Sequence, residues 1–284
     1  MNQDRCDLHI HSDHSDGTFS PKDLIAEAER VGLSAIALTD HNTVTGLPSF
    51  LAAADKSHVE GIAGIEVSAD YDGKELHILG LFLDEEYYDE LVEFLRPMAE
   101  NKERSNVALI QALADGGYDI TYEEVTAESG EAQFNRSHVA QVLTEKGYTS
   151  SIKEAFETVL SKKAGFYKQP ERPSALDVIA FLKSIGTAVV LAHPFLSLTE
   201  EELRAFLPSA IAAGLDGMEA IYSGYSEETT ALARSIAREF GICESGGSDF
   251  HGGRKPDISM GSGKGNLAVP CDLMNLLKER SKRK

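Results

Sequence analysis

Apolar residues alternate with polar ones along Asp7-Leu8-His9-Ile10-His11, the period of a β-strand. They then recur at three- and four-residue spacing through SPKDLIAEAERVG, the period of a helix with one buried face. Ser20 is predicted to cap that helix, Pro21 to occupy its first turn and Gly32 to end it. SAIALTDH reads as a buried strand and LPSFLAAADKS as the next helix. GIAGIEVSADYDGKELHILGLFL reads as two strands joined at Asp72-Gly73, a strong hairpin signal. The second strand then runs antiparallel, which brings His77, near its start, back toward Glu66.

From about Asp84 to Lys168 the pattern is almost wholly helical, and Pro97 is expected to break or kink the first helix. Alternation returns afterwards. SALDVIAFLKSIG, TEEELRAFLPSAIAAG, SEETTALARSIAREFG and LMNLLKERSK are helices, with TAVVLAHP, GMEAIY and ICESGGSDFH as strands and a strand-end loop. Repeated β-α units imply a parallel sheet or β/α barrel, with function at the C-terminal strand ends. The glycines of GGRKPDISMGSGKGN match no nucleotide-cradling spacing.

Totals narrow the picture. A hydrophobic content of 42% over 284 residues is globular. No apolar run approaches the roughly 18 residues of a membrane span, and MNQDRCD is too polar for a signal peptide. Cys6, Cys243 and Cys271 are scattered singly, which fits a reducing, cytoplasmic setting. A formal charge of −19 opposes binding along a long duplex nucleic acid but leaves room for a small anion held by local positive charge. The basic end KERSKRK reads as a solvated helix terminus.

Six of the nine histidines fall on or just after predicted strands: His9, His11, His41, His77, His193 and His251. Asp16, Asp40, Glu66 and Asp249 lie at strand ends too. Each has an ordinary reading singly. TDH and SDFH suit turns, AHP suits a strand stop, and Glu66 suits a solvent-facing position. Together they would leave many polar groups without partners at one sheet edge, at a cost of order kcal/mol per group. A divalent metal accepts imidazole and carboxylate alike. About nine ligands, at three or four per catalytic ion, suggest two or three ions, with Glu66 the best bridge.

HIH with SDG downstream, TDH, GIEVS, a following histidine, AHP and SDFH occur in that order. The set resembles the polymerase-and-histidinol-phosphatase (PHP) family of metal-dependent phosphoesterases across both flanking parts of the chain. The resemblance implies an α/β fold, a distorted (β/α)7 barrel over residues 1–95 and 171–284, with an inserted α-helical subdomain over 96–170. It implies two or three divalent ions, manganese foremost, iron or zinc otherwise. One would take His9, His11, Glu66 and Asp249, a second Glu66, His77 and His193, and a third Asp16, His41 and His251. Some family members have histidine in place of Asp16. Asp40 is left to orient a neighbour.

The insertion carries FNRSHVAQVL and AGFYKQP, and resembles a bacterial subgroup acting on nucleotides. That implies 3′-phosphate release from nucleoside 3′,5′-bisphosphates, or trimming of short RNA 5′ ends, by metal-activated water. His193 and Asp249 are the catalytic candidates, with water or His193 protonating the leaving oxygen. Arg136 and His138 are candidates for a second phosphate, Lys168 a weaker one, and His14 lies close enough to touch substrate. Rival readings are a phosphomonoesterase on nucleoside monophosphates or histidinol phosphate, an amidohydrolase-like C–N hydrolase, and a non-catalytic metal-binding module. The C–N hydrolase lacks its usual strand-end lysine here.

Overall fold

The computed structural model describes residues 4–129, 136–161 and 163–281; Phe134 and Asn135 of the insertion motif, and the last three residues of KERSKRK, lie outside them. The chain forms two compact units, Met1–Val92 with Pro173–Lys284, and Glu93–Arg172.

The first unit opens with β1 (Arg5–Ile10), α1 (Pro21–Val31), β2 (Ala35–Leu38), α2 (Leu47–Ala54), β3 (Glu60–Tyr71) and β4 (Lys74–Leu81). The chain then runs through α3 (Tyr88–Asp115), α4 (Tyr122–Ser129), α5 (Arg136–Glu145) and α6 (Ile152–Glu157). It returns as α7 (Ala175–Ser184), β5 (Ala188–Leu191), α8 (Glu200–Ala213), β6 (Gly217–Tyr222), α9 (Glu227–Phe240), β7 (Cys243–Gly247), β8 (Val269–Pro270) and α10 (Cys271–Ser281).

The strands form one sheet in the order β7-β6-β5-β4-β3-β2-β1-β8. Neighbours are parallel except that β4 opposes both β3 and β5, and β8 opposes β1. The sheet comes round on itself just past β7: the Asp249 N–H donates to His9 O (2.8 Å) and the His11 N–H to Phe250 O (2.9 Å). Seven strands thus make a barrel that is nearly closed, and β8 is a two-residue addition. Gly247 permits the closure, because a Cβ there would lie 2.3 Å from His9 Cβ.

Local chemistry sets the elements as the pattern predicts. The Ser20 hydroxyl accepts from Asp23 N and Gly32 ends α1 at φ 73°. Asp72 (φ 51°) and Gly73 (φ 75°) make the hairpin turn, both with the positive φ that an Asp-Gly pair tolerates. Tyr71 therefore pairs with Lys74 and Ser68 with His77. Three expectations need correcting. α3 continues through Pro97 without a break. Pro97 and Glu93 are both exposed, so the Glu93 carbonyl deprived of its N–H partner is open to water rather than buried. α2 ends at Ala54 and α6 at Glu157, each short of the apolar pattern, because turns take over.

Alternate strand residues fill the barrel interior. Cys6, Leu8, Ala37, Ile62, Leu81, Val190 and Ile221 form an apolar layer, sealed by Met274 and Leu277 of α10. Beyond it the same strand faces turn polar: Ile62 gives way to Glu66 along β3, and Leu79 to His77 along β4. On β1 strict alternation would put Leu8 and His9 on opposite faces. The register advances three residues from Asp7 to Ile10 against two from Ile36 to Leu38, and this bulge turns both inward. The second unit is built conventionally. Leu109 and Leu113 of α3 pack with Val125 of α4, Val139 and Leu143 of α5 and Ala155 of α6.

Candidate metal centre

The polar layer centres on Glu66, whose carboxylate is wholly buried. Three imidazole nitrogens approach its Oε2: His9 Nε2 (3.2 Å), His11 Nε2 (3.2 Å) and His41 Nδ1 (3.1 Å). His77 Nδ1 (2.8 Å) and His193 Nε2 (3.2 Å) approach Oε1. Asp249 Oδ1 lies 3.3 Å from His11 Nε2 and 3.8 Å from His9 Nε2. Asp16 reaches the cluster from the β1–α1 loop, with Oδ1 3.1 Å from His251 Nε2 and Oδ2 3.8 Å from His41 Nε2.

These contacts are close but poorly satisfied. His9 Nε2, both His11 ring nitrogens, His77 Nδ1 and Glu66 Oε2 are buried without a hydrogen bond of acceptable geometry. Five rings crowding one carboxylate cannot each donate well to it, and buried polar atoms in that state are costly. His9 Nδ1 lies 3.0 Å from Glu219 Oε1, and His251 Nδ1 lies 2.9 Å from Asp249 O. With the acceptors on those sides, Nδ1 is the proton-bearing nitrogen of each ring, which leaves Nε2 of the neutral ring as the nitrogen available to a cation. Among the described residues, possible ligand atoms within 4.8 Å of one another fall into four groups: His11-Asp16-His41-His251, His9-Glu66-His193, His9-His11-Asp249 and His41-Glu66-His77. Such groups of imidazole and carboxylate suit divalent cations.

Electrostatics agrees. Burial opposes charge on every group, but the Glu66 and Glu219 carboxylates draw protons onto the imidazoles when no other cation balances them. His9 is held well above its usual value by Glu66 and Glu219. Against burial, Asp249 and Glu66 push His11 up to about 9. Against burial likewise, Glu66 and Glu75 push His77 up to about 10. Burial and the neighbouring rings His11 and His77 push His41 down to about 3. Glu66 and Asp249 stay well below the ordinary carboxylate range despite burial, because the histidines surround them. Asp16 is lowered as well, through His251 and His41.

A supporting layer fixes these side chains, and the sequence pattern pointed to little of it. Glu219, fully buried on β6, accepts from the His193 N–H through Oε2 (2.7 Å) while its Oε1 holds His9. A glutamate inside the apolar strand GMEAIY was its only signal. Asp7, also buried, accepts from Ser248 N (2.8 Å) and Gly261 N (2.7 Å), tying β1 to the loop after β7. Tyr222 donates to Asp249 Oδ2 (2.9 Å). Asp40 accepts from Ser12 N (2.7 Å), Ser12 Oγ (2.6 Å) and Ser15 Oγ (2.6 Å), so the residue it orients is the loop carrying Asp16. His193 (φ 25°) and Asp249 (φ 57°) sit in backbone conformations costing of order 1–3 kcal/mol each. The Glu219 and His9 contacts hold them there.

All nine sequence-proposed ligands are therefore gathered in one place. His14 is not among them: it is exposed, with Nδ1 2.9 Å from Thr45 Oγ1. Arg136, His138 and Lys168 belong to the helical unit. There the Arg136 guanidinium lies over the Tyr167 ring (4.2 Å to its centre), His138 is buried and Lys168 is exposed.

Comparison with known proteins places this centre. A family model for the PHP domain matches residues 7–167. A Haemophilus influenzae 5′-3′ exoribonuclease is 29% identical over 246 residues, 86% of this chain and 89% of that protein. A phosphoribosyl 1,2-cyclic phosphate 1,2-diphosphodiesterase of Eggerthella lenta is 29% identical over 259 residues, 89% and 97% of the two chains. A Chromobacterium violaceum 3′,5′-nucleoside bisphosphate phosphatase is 26% identical over 247 residues, 86% of each. A crystal structure from Bifidobacterium adolescentis, assigned to the metal-dependent phosphoesterases, superposes with a TM-score of 0.81 at 29% identity, covering 99% and 97% of the chains. Fold and site define a metal-dependent hydrolase acting on phosphate esters. The chain belongs to the PHP domain family.

Proposed function

We propose that the protein hydrolyses phosphate esters of nucleotides, releasing the 3′-phosphate of nucleoside 3′,5′-bisphosphates and acting also on short RNA 5′ ends. The observation that carries the chemistry is the convergence of five imidazoles on Glu66. The similarity to a bisphosphate phosphatase and an exoribonuclease over 86% of the chain supports the substrate class. His9, His11, Asp16, His41, Glu66, His77, His193, Asp249 and His251 would hold two or three divalent ions, manganese foremost. Bound ions supply Lewis acidity and water of lowered pKa next to the ester.

The chain's own groups do the rest. Glu219 keeps His9 in the tautomer with its Nε2 lone pair inward and holds the His193 backbone. Tyr222 fixes Asp249. His193 or water gives a proton to the leaving oxygen. Arg136 and His138 would receive a second phosphate, with Lys168 and His14 as outlying contacts. A second reading, cleavage of a cyclic phosphodiester of a phosphorylated ribose, is favoured by the likeness to the E. lenta enzyme over 97% of its length.

The experiment is a substrate panel with manganese: adenosine 3′,5′-bisphosphate, AMP, a short 5′-phosphorylated RNA, phosphoribosyl 1,2-cyclic phosphate and histidinol phosphate. Phosphate release is expected to be fastest from the bisphosphate, at its 3′ position. Turnover of the cyclic diester with an inert bisphosphate would replace the first reading by the second.

A further inference from the structure

Lys255 stands at the centre in a way the ligand geometry does not require. Its Nζ lies 2.7 Å from Asp249 Oδ2, an oxygen that already accepts from the Tyr222 hydroxyl at 2.9 Å. The carboxylate is thus oriented without the lysine. Lys255 follows the short 3₁₀ turn Gly252–Arg254, and its own N–H donates to Gly252 O (3.1 Å). That turn is fixed by the Gly253 N–H on Thr18 Oγ1 (2.8 Å), so the lysine projects from an anchored loop. Its side chain is 37% exposed, against 6% for Asp249. The ammonium therefore sits at the border between the buried cluster and solvent. Among the described residues, the imidazoles aside, it is the cation paired with a carboxylate of the cluster. An ammonium has three donors, and Asp249 uses one.

We propose that Lys255 binds a non-bridging oxygen of the scissile phosphate, with Asp249 holding the ammonium ready in the metal-loaded enzyme. This rests on the phosphoesterase reading of the same site. The physical basis is charge. A phosphate dianion arriving here meets Glu66, Asp249 and Asp16, and a fixed positive group on the solvent side offsets their repulsion whatever the number of ions bound. An ammonium suits this as a point charge on a flexible stem, because it can keep one hydrogen bond to Asp249 while giving another to phosphate. If the lysine served Asp249 alone, its loss would show in metal content; if it serves substrate, its loss shows in phosphate affinity.

The test uses the full-length, manganese-loaded protein, wild type against Lys255→Met, Lys255→Gln and Lys255→Arg. Bound manganese is measured by elemental analysis, inorganic phosphate affinity by calorimetry, and KM and kcat on the best ester of the panel. In Lys255→Met and Lys255→Gln the phosphate Kd and the KM are expected to rise about tenfold or more, the scale of a charged hydrogen bond, with kcat falling less and manganese per chain unchanged. Lys255→Arg is expected to recover most of the affinity. Unchanged phosphate Kd in the Met and Gln variants, or loss of manganese in step with activity, would overturn the proposal while wild-type turnover left the phosphoesterase reading intact. A wild type that neither binds phosphate nor hydrolyses any ester would bring down both.

Discussion

The barrel and the inserted helical unit solve opposite problems. In the helical unit Leu109, Leu113, Val139 and Leu143 bury apolar surface against one another. In the barrel an apolar layer of the same kind ends abruptly at Glu66, above which buried imidazoles and carboxylates lack adequate hydrogen-bond partners. The described helical core is closed by apolar packing. The polar cluster of the barrel suits divalent cations, so its stability and its chemistry are expected to be linked.

The sharpest way to break this contrast is Glu66→Gln. Bound metal is expected to fall, and phosphatase activity to drop about a thousandfold or more, since groups acting as a unit fail together. Circular dichroism should show the helices intact; an active, fully loaded variant would dissolve the contrast. Chelation should do the same reversibly: activity disappears with the metal and returns with manganese, and the thermal midpoint rises on reloading. Glu219→Ala comes next. It frees the His9 ring and the His193 backbone together, and is expected to cost about 10–100-fold in metal affinity, measured by competition with a chromogenic chelator.

On the helical side, Arg136→Ala should raise KM for a bisphosphate about tenfold and leave AMP nearly unaffected; equal effects on both would remove the proposed contact. The smallest effect is expected far from either core. Glu202 caps α8 and pairs with Lys74, which together with the Thr199 N–H holds its carboxyl down at about 2. A lowered folded-state value means that its contribution is present above the ordinary 4.5 and fades as pH falls toward about 2. Glu202→Gln should therefore lower the thermal midpoint slightly at neutral pH, with the difference from wild type closing on acidification.

Much of the barrel could be read because its signals are local. Ser20-Pro21 and Asp72-Gly73 carry their own instructions, and the hairpin at Asp72-Gly73 carries the antiparallel course that takes His77 to Glu66. The gathering of the nine candidate ligands followed from strand-end placement. What escaped was non-local or disguised. Glu219 hides inside an apolar strand, and its importance exists only once β6 lies beside His9 and His193. Asp7 carries no sequence signal of its role, because its partners Ser248 and Gly261 come from the far end of the chain. The helix α4 has too weak a pattern to stand out, and Pro97 reads as a breaker unless the exposure of Glu93 is known. The inward turn of His9 needs the β1 bulge, which no residue there announces.

The seam between β7 and β1 has a further consequence. At Gly247 there is no room for a methyl group beside His9, and the next strand-end residues, Asp249 and Phe250, hydrogen-bond across the same gap. A side chain at position 247 would therefore push apart the segments that carry His9 and Asp249. The geometry of the site is guarded there by the absence of a side chain, and a survey of variants restricted to the nine candidate ligands would overlook it.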